Sequence, residues 1–86
     1  MPARFWQLFK YPDMPKLPVV SSAEVIRALE LLGFSVVRQR GSHIVLRMGS
    51  SGCVVPNHKE LKAGTLTGIL KQAGVSLDDF ISALRA

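Results

Sequence analysis

The spacing of the apolar residues changes twice along this chain, and that change limits the fold more than any other feature. Apolar residues recur at helical spacing from Val25 to Leu32, alternate with other residues from Phe34 to Val55, and return to helical spacing from Leu66. A spacing of three or four residues predicts a helix with one buried face, whereas alternation predicts a strand. We therefore expect an α+β domain with the order α-β-β-β-α-α.

Local signals predict where the three helices begin and end. The first is expected over residues 22–32, because Ser21 and Glu24 match a capping box. The second is expected over residues 65–73, followed by a glycine that suits a C-terminal cap. The third begins after Ser76, and its buried stripe is predicted at Leu77, Phe80, Ile81 and Leu84.

The middle of the chain predicts a three-stranded antiparallel meander. Strands are expected over residues 34–39 and 43–48, joined by a two-residue turn at Arg40-Gly41, with a short third strand at residues 53–55 ending at Pro56. This turn would pair Arg38 with His43. The side toward the helices would then carry Val37, Ile44, Leu46 and Met48. The open side would carry Val36, Arg38, His43, Val45 and Arg47.

Positive charge is concentrated in the middle of the chain. The 86 residues contain 11 Lys and Arg against 6 Asp and Glu, a net charge of +5. The segment from Phe34 to Gln72 has six cations and one anion, Glu60, and so carries the whole excess. Such a balance favours polyanionic partners, either nucleic acid or a membrane surface.

Composition also divides the chain into two parts and indicates the cellular compartment. Residues 1–18 contain four of the five prolines and are expected to form an extended leader, either loosely ordered or docked on a partner, before a domain over residues 19–86. Cys53 is the only cysteine, so neither an intramolecular disulfide nor a cysteine-based zinc site is expected. No apolar run is long enough to span a bilayer. We expect a cytoplasmic protein without a membrane partner.

Two histidines are the candidates for acid–base chemistry, since histidine is the side chain that titrates near neutrality. His43 follows Gly41-Ser42, with Arg38 and Arg47 predicted on its face, while His58 follows Val55-Pro56-Asn57. Taken alone, each histidine is more typical of a surface or hydrogen-bonded structural residue than of a catalytic one. The carboxylates of the predicted helices are poorly placed to hold Mg²⁺, so we expect neither a metal nor another cofactor.

Six basic residues are candidates for binding phosphate groups, although each is also compatible with an ordinary solvated surface. They are Arg38, Arg40, Arg47, Lys59, Lys62 and Lys71. The Gly64-Thr65 pair at a predicted helix start could bind an anion, but helix capping explains it as well.

An ordered series of short segments resembles the HicA family of toxins. The series comprises Leu17-Pro18-Val19-Val20-Ser21, Gly33-Phe34, Gly41-Ser42-His43, Val55-Pro56-Asn57-His58, Gly64-Thr65-Leu66 and Ile69-Leu70-Lys71-Gln72-Ala73-Gly74. The resemblance runs from about Met14 to Leu84 and depends on the order and spacing of these pieces.

The resemblance implies a fold like that of a double-stranded-RNA-binding domain, with helices on one face of a three-stranded sheet. It also implies metal-independent cleavage of mRNA and neutralisation by a HicB-type antitoxin protein, with no DNA contact by the toxin alone. The family's catalytic histidine corresponds to His43, with Gly41 and Ser42 as motif companions. His58 matches a recurrent family position to which we assign no role. Ile44 and Leu46 stand where many relatives have other residue types, which affects substrate preference more than fold.

Two other functions remain open at this point. A non-catalytic RNA-binding module would use the same basic surface, with His43 bonding only to sugar or backbone. A protein-interaction subunit without an RNA role would bind RNA, if at all, without the salt dependence of phosphate contacts.

Overall fold

The computed structural model describes residues 19–86. The leader predicted over residues 1–18 lies outside the described residues. The elements are α1 (Ser22–Leu31), β1 (Ser35–Arg40), β2 (His43–Met48), β3 (Ser51–Pro56), α2 (Ala63–Ala73) and α3 (Leu77–Arg85). This order, with a three-stranded antiparallel sheet, confirms the predicted α+β class and is consistent with a fold like that of a double-stranded-RNA-binding domain.

The predicted helix caps are confirmed. The Ser21 hydroxyl accepts from the Glu24 N–H at 3.2 Å, and the Glu24 carboxylate accepts from the Ser21 N–H at 2.8 Å. Ser76 caps α3 in the same way, accepting from the Asp79 N–H at 3.1 Å. At α2 the prediction placed the start too late, because the helix begins at Ala63 with Lys62 as its N-cap residue. The starts of α1 and α3 were predicted correctly because the hydrogen bonds that define a helix cap join residues within four positions of each other.

The hydrophobic core lies between the helices and one face of the sheet. β2 contributes Ile44 and Leu46, and β3 contributes Cys53 and Val55. The helices supply the rest of the largest fully buried side chains, namely Val25, Leu29, Leu66 and Phe80. Helix α3 packs mainly against α1, and the Arg27 guanidinium of α1 donates to the backbone oxygens of Leu84 and Ala86 at the end of α3.

The hairpin between β1 and β2 differs from the prediction. Its turn is Gly41-Ser42, so Arg40 pairs with His43 and Gln39 with Ile44; the predicted pairing of Arg38 with His43 is wrong. Two-residue hairpin turns favour a positive φ at their first central residue, and Gly41 has φ +58°. Glycine adopts that conformation more readily than arginine, which explains why Arg40 remains in the strand.

An irregularity between Val36 and Arg38 shifts the register of β1 by one residue. As a result Val36 pairs with Leu46 on the helix side of the sheet, and Val37 is the extra residue. The predicted positions of these two valines are therefore wrong. Val37 is 54% exposed, and every residue of β1 is exposed, because the helices leave this edge strand uncovered. Met48, also predicted in the core, is 42% exposed at the far end of β2.

Candidate nucleic-acid interface on the open face of the sheet

The face of the sheet opposite the helices is a three-by-three grid of side chains. Residues paired directly across antiparallel strands point to the same side, so the register defines each row. The rows are Arg40–His43–Pro56, Arg38–Val45–Val54 and Ser35–Arg47–Gly52. Three arginines and one histidine thus share one face with two valines, a proline, a serine and a glycine.

His43 occupies the middle of the end row of this grid, between Arg40 and Pro56. It is the first residue of β2, directly after the Gly41-Ser42 turn, and its side chain is solvent-exposed. Its face follows from its neighbour, since Ile44 is buried in the core and successive strand residues point to opposite sides. The predicted open-face position of His43 is confirmed, although its cross-strand neighbour is Arg40.

Two arginines of the neighbouring strand β1 lie near His43 on this face. Arg40 is opposite it on β1, and Arg38 is one row further along the same strand. Both side chains are exposed. The shift at Val37 decides this arrangement, because a regular continuation of the Val36–Leu46 pairing would turn both arginines toward the helix side.

Arg47 lies on the same face but extends toward β3. A Cβ built on Gly52, its direct partner, would lie 3.3 Å from Arg47 Nη1, so the guanidinium passes over that glycine. Arg47 therefore extends the positive surface at the far end of the grid and does not add to the immediate surroundings of His43.

His58 lies two residues beyond Pro56, the β3 partner of His43. It is exposed in the connection between β3 and α2, where one depression is lined by Ser21, Ser22, Ala23, Asn57, His58 and Lys59. A second depression is lined by His58, Glu60, Leu61, Lys62 and Thr65. His43 lines neither of them. The two depressions thus bring Lys59 and Lys62 together with His58.

Lys71 lies apart from both groups. It is exposed in the last turn of α2, within the helix layer. The six predicted phosphate-binding residues therefore form a group of three arginines on the sheet, a pair of lysines beside His58, and one lysine on a helix.

Cys53 is buried on the core face of β3, and burial raises the pKa of its thiol. This agrees with its predicted role as a small strand residue, since the thiolate is the reactive form. Within residues 19–86, no group of three or more His, Cys, Asp and Glu side chains is arranged to hold a metal ion. None of the helices in this part of the chain has the length and apolar composition needed to cross a membrane.

Two structural features near the histidines were not predicted. Ser22 is buried and bonds to Asn57 and His58. Leu61, in the connection between β3 and α2, is a buried residue that donates its N–H to the Val20 oxygen at 2.8 Å. A leucine among polar residues is a weak signal for Leu61. The sequence contains no comparable signal for Ser22, because its partners are more than thirty residues away.

Comparison with known proteins identifies one family. A family model described as "HicA toxin of bacterial toxin-antitoxin" matches residues 22–75, which is more than half of the chain and extends from the start of α1 to just beyond α2. The comparison with curated protein sequences gives no match.

Proposed function

The chain belongs to the HicA family, the toxins of a bacterial toxin–antitoxin system, and on that premise we propose that it is an endoribonuclease that cleaves mRNA with His43 as its catalytic side chain. Membership also implies a HicB-type antitoxin as partner, which we propose neutralises the activity. Gly41 and Ser42 form the turn that presents the histidine.

The observation that carries this proposal is the exposed position of His43 directly across from Arg40, with Arg38 one row away. An imidazole can accept or donate a proton near neutral pH. A guanidinium offers several N–H donors that suit a phosphate group. The two kinds of group together match what cleavage of a phosphodiester requires, namely proton transfer and stabilisation of negative charge.

In the proposed reaction, neutral His43 removes the proton from a ribose 2′-hydroxyl, and the resulting oxygen attacks the adjacent phosphorus. The new 2′-oxygen–phosphorus bond forms as the bond from phosphorus to the 5′-oxygen breaks, and the departing oxygen takes up a proton. The products are a 2′,3′-cyclic phosphate and a free 5′-hydroxyl. In the converse assignment His43 donates the proton to the departing oxygen. Arg40 and Arg38 stabilise the charge that develops on the phosphoryl oxygens.

This route explains a preference for RNA, since DNA lacks the attacking hydroxyl. It also favours single-stranded or locally unpaired sites, where the sugar is free to bring its hydroxyl into line. The proposal includes no metal ion. The carboxylates of Glu24 and Glu30 on α1, and of Asp78 and Asp79 on α3, belong to the helix layer on the opposite side of the sheet from His43.

The test is cleavage of an end-labelled RNA by purified protein in the presence of a chelator, comparing the native chain with H43A and H58A. We expect H43A to cleave about 10²- to 10⁴-fold more slowly, the usual contribution of a general acid or base. Because the His43 side chain is exposed, the thermal unfolding of H43A should match that of the native protein. H58A shows whether the effect belongs to His43 alone or is shared by the second histidine.

Two further arms separate this proposal from its alternatives. A single deoxynucleotide at the cut site should abolish cleavage there, and undiminished cutting would rule out attack by the 2′-hydroxyl. Native protein that binds RNA with a strong dependence on salt but never cuts it would instead be a non-catalytic RNA-binding module. Cleavage by H43A at the native rate would exclude His43 as the catalytic residue.

A further inference from the structure

One buried hydroxyl group ties the segment after β3 to the start of α1. Ser22 is 3% exposed, and both its backbone N–H and its hydroxyl donate to the backbone oxygen of His58, at 3.0 and 2.9 Å. The hydroxyl oxygen also lies 3.1 Å from Oδ1 of Asn57. A hydroxyl has only one proton to donate, so these two acceptors share it. Ser22 therefore makes three contacts with two successive residues: two with the backbone oxygen of His58 and one with the side chain of Asn57.

Asn57 continues the connection to the turn before His43. Its backbone N–H donates to the oxygen of Ser42 at 2.6 Å. Ser42 is the last residue of the turn, and Pro56, just before Asn57, pairs with His43 itself. The turn before His43 and the His43 position itself thus lie against the same short segment that Ser22 anchors.

His43 is placed where such an anchor matters. It is exposed at the first position of a strand, and element ends with exposed side chains open most easily. The core contacts of β2 begin only at the next residue, Ile44. A displacement of about 1 Å of a catalytic group can cost about 10²-fold in rate.

We propose that Ser22 and Asn57 are positioning residues for His43, which hold the Gly41-Ser42 turn through the bonds Ser22–Asn57 and Asn57–Ser42. This inference rests on the proposed function of His43. In this role the two residues act through the backbone that presents the imidazole.

The experiment compares S22A and N57A with S76A as a matched control. The Ser76 hydroxyl likewise makes a hydrogen bond, but it caps the N-terminus of α3 and has no bond to the segment after β3. The three variants and the native protein are assayed with excess enzyme over RNA, and each rate constant is corrected for the folded fraction. We expect S22A and N57A to lower the rate constant for cleavage about 10- to 100-fold with little change in RNA affinity. S76A should retain the native rate constant, and S22T, which restores the hydroxyl, should recover part of the loss.

A readout without RNA keeps the inference separate from the proposed function. In NMR spectra of the free protein, the imidazole signals of His43 should shift in S22A and N57A and stay unchanged in S76A. If S22A fails to fold, N57A gives the same information, because the Asn57 side chain is exposed.

Three outcomes decide between the proposals. If native protein cleaves RNA and S22A, N57A and S76A all match it, the positioning role is wrong while the proposed function stands. If the native protein never cleaves RNA, the proposed function fails. In that case, unchanged His43 signals in S22A and N57A also overturn the inferred connection from Ser22 and Asn57 to His43, whereas shifted signals support that connection.

Discussion

The two faces of the sheet are made by alternate residues of the same strands, yet they meet different surroundings. On β2, Ile44 and Leu46 are buried beneath the helices, while His43 and Arg47, each next to one of them in the chain, are exposed. On β3, Cys53 and Val55 are buried and Val54 between them is exposed. One face therefore contributes to the free energy of folding and the other is free to contact a ligand. This division predicts that substitutions of adjacent residues have effects of different kinds.

The largest expected effect comes from a pair of adjacent substitutions, L46A and R47A. Leu46 is fully buried, so L46A should lower the free energy of unfolding by about 2–5 kcal/mol through lost burial and a residual cavity. Arg47 is exposed, and R47A should change the free energy of unfolding by no more than about 0.5 kcal/mol. Urea denaturation followed by circular dichroism measures both. Equal losses for the two variants would show that the faces do not differ in this way.

A smaller effect is expected from removing one charge on the open face. R40A should reduce the dependence of RNA binding on salt, lowering the slope of log affinity against log salt concentration by about 0.7 for one lost contact to single-stranded RNA. The matched control is R85A, which removes the same charge from the last turn of α3, in the helix layer. Fluorescence anisotropy with a labelled RNA at several salt concentrations gives both slopes. If R85A lowers the salt-dependence slope as much as R40A does, the total charge of the protein, and not the position of the charge on the open face, determines binding.

The smallest effect concerns the pH dependence of stability on the core face. Burial raises the pKa of the Cys53 thiol in the folded chain, whereas an unfolded cysteine has a pKa of about 8.5. Between these two values the unfolded chain loses the proton and the folded chain keeps it, so stability falls as pH rises above about 8.5. Below that pH both states are protonated and the contribution vanishes.

C53A removes this titration, and its loss of stability between neutral and alkaline pH should be smaller than that of the native chain. The measurement is the thermal midpoint across the alkaline range. V54A, at the next and exposed position, should keep the native pH dependence. Identical pH profiles for C53A and the native protein would contradict the inferred effect of burial on this thiol.

Features that depend on neighbouring residues were predicted well from the sequence. The first helix ends within one residue of its predicted limit, and its capping box forms between Ser21 and Glu24 as expected. The open-face position of His43 was also correct, because the apolar residues Ile44 and Leu46 determine the orientation of the whole strand. In these cases the atoms that decide the structure lie a few residues apart.

The pairing of β1 with β2 was predicted with errors because its sequence is compatible with more than one register. Val36 and Val37 are adjacent valines, so either can face the helices, and alternation alone cannot show that one of them is an extra residue. The third strand was predicted too short, since Ser51 and Gly52 have weak strand preference but pair fully with β2. In both regions contacts with β2 outweighed local preference.

By itself, the sequence determined the number, type and order of the elements and the side of the sheet on which His43 lies, because the spacing of apolar residues along each element decides which side is buried. Only the tertiary structure decided that Arg40 lies across from His43 and that Ser22 anchors the segment after β3. The physical reason is that strand register and long-range hydrogen bonds depend on how separate elements pack together, and the packing selects one of several pairings that the local sequence permits.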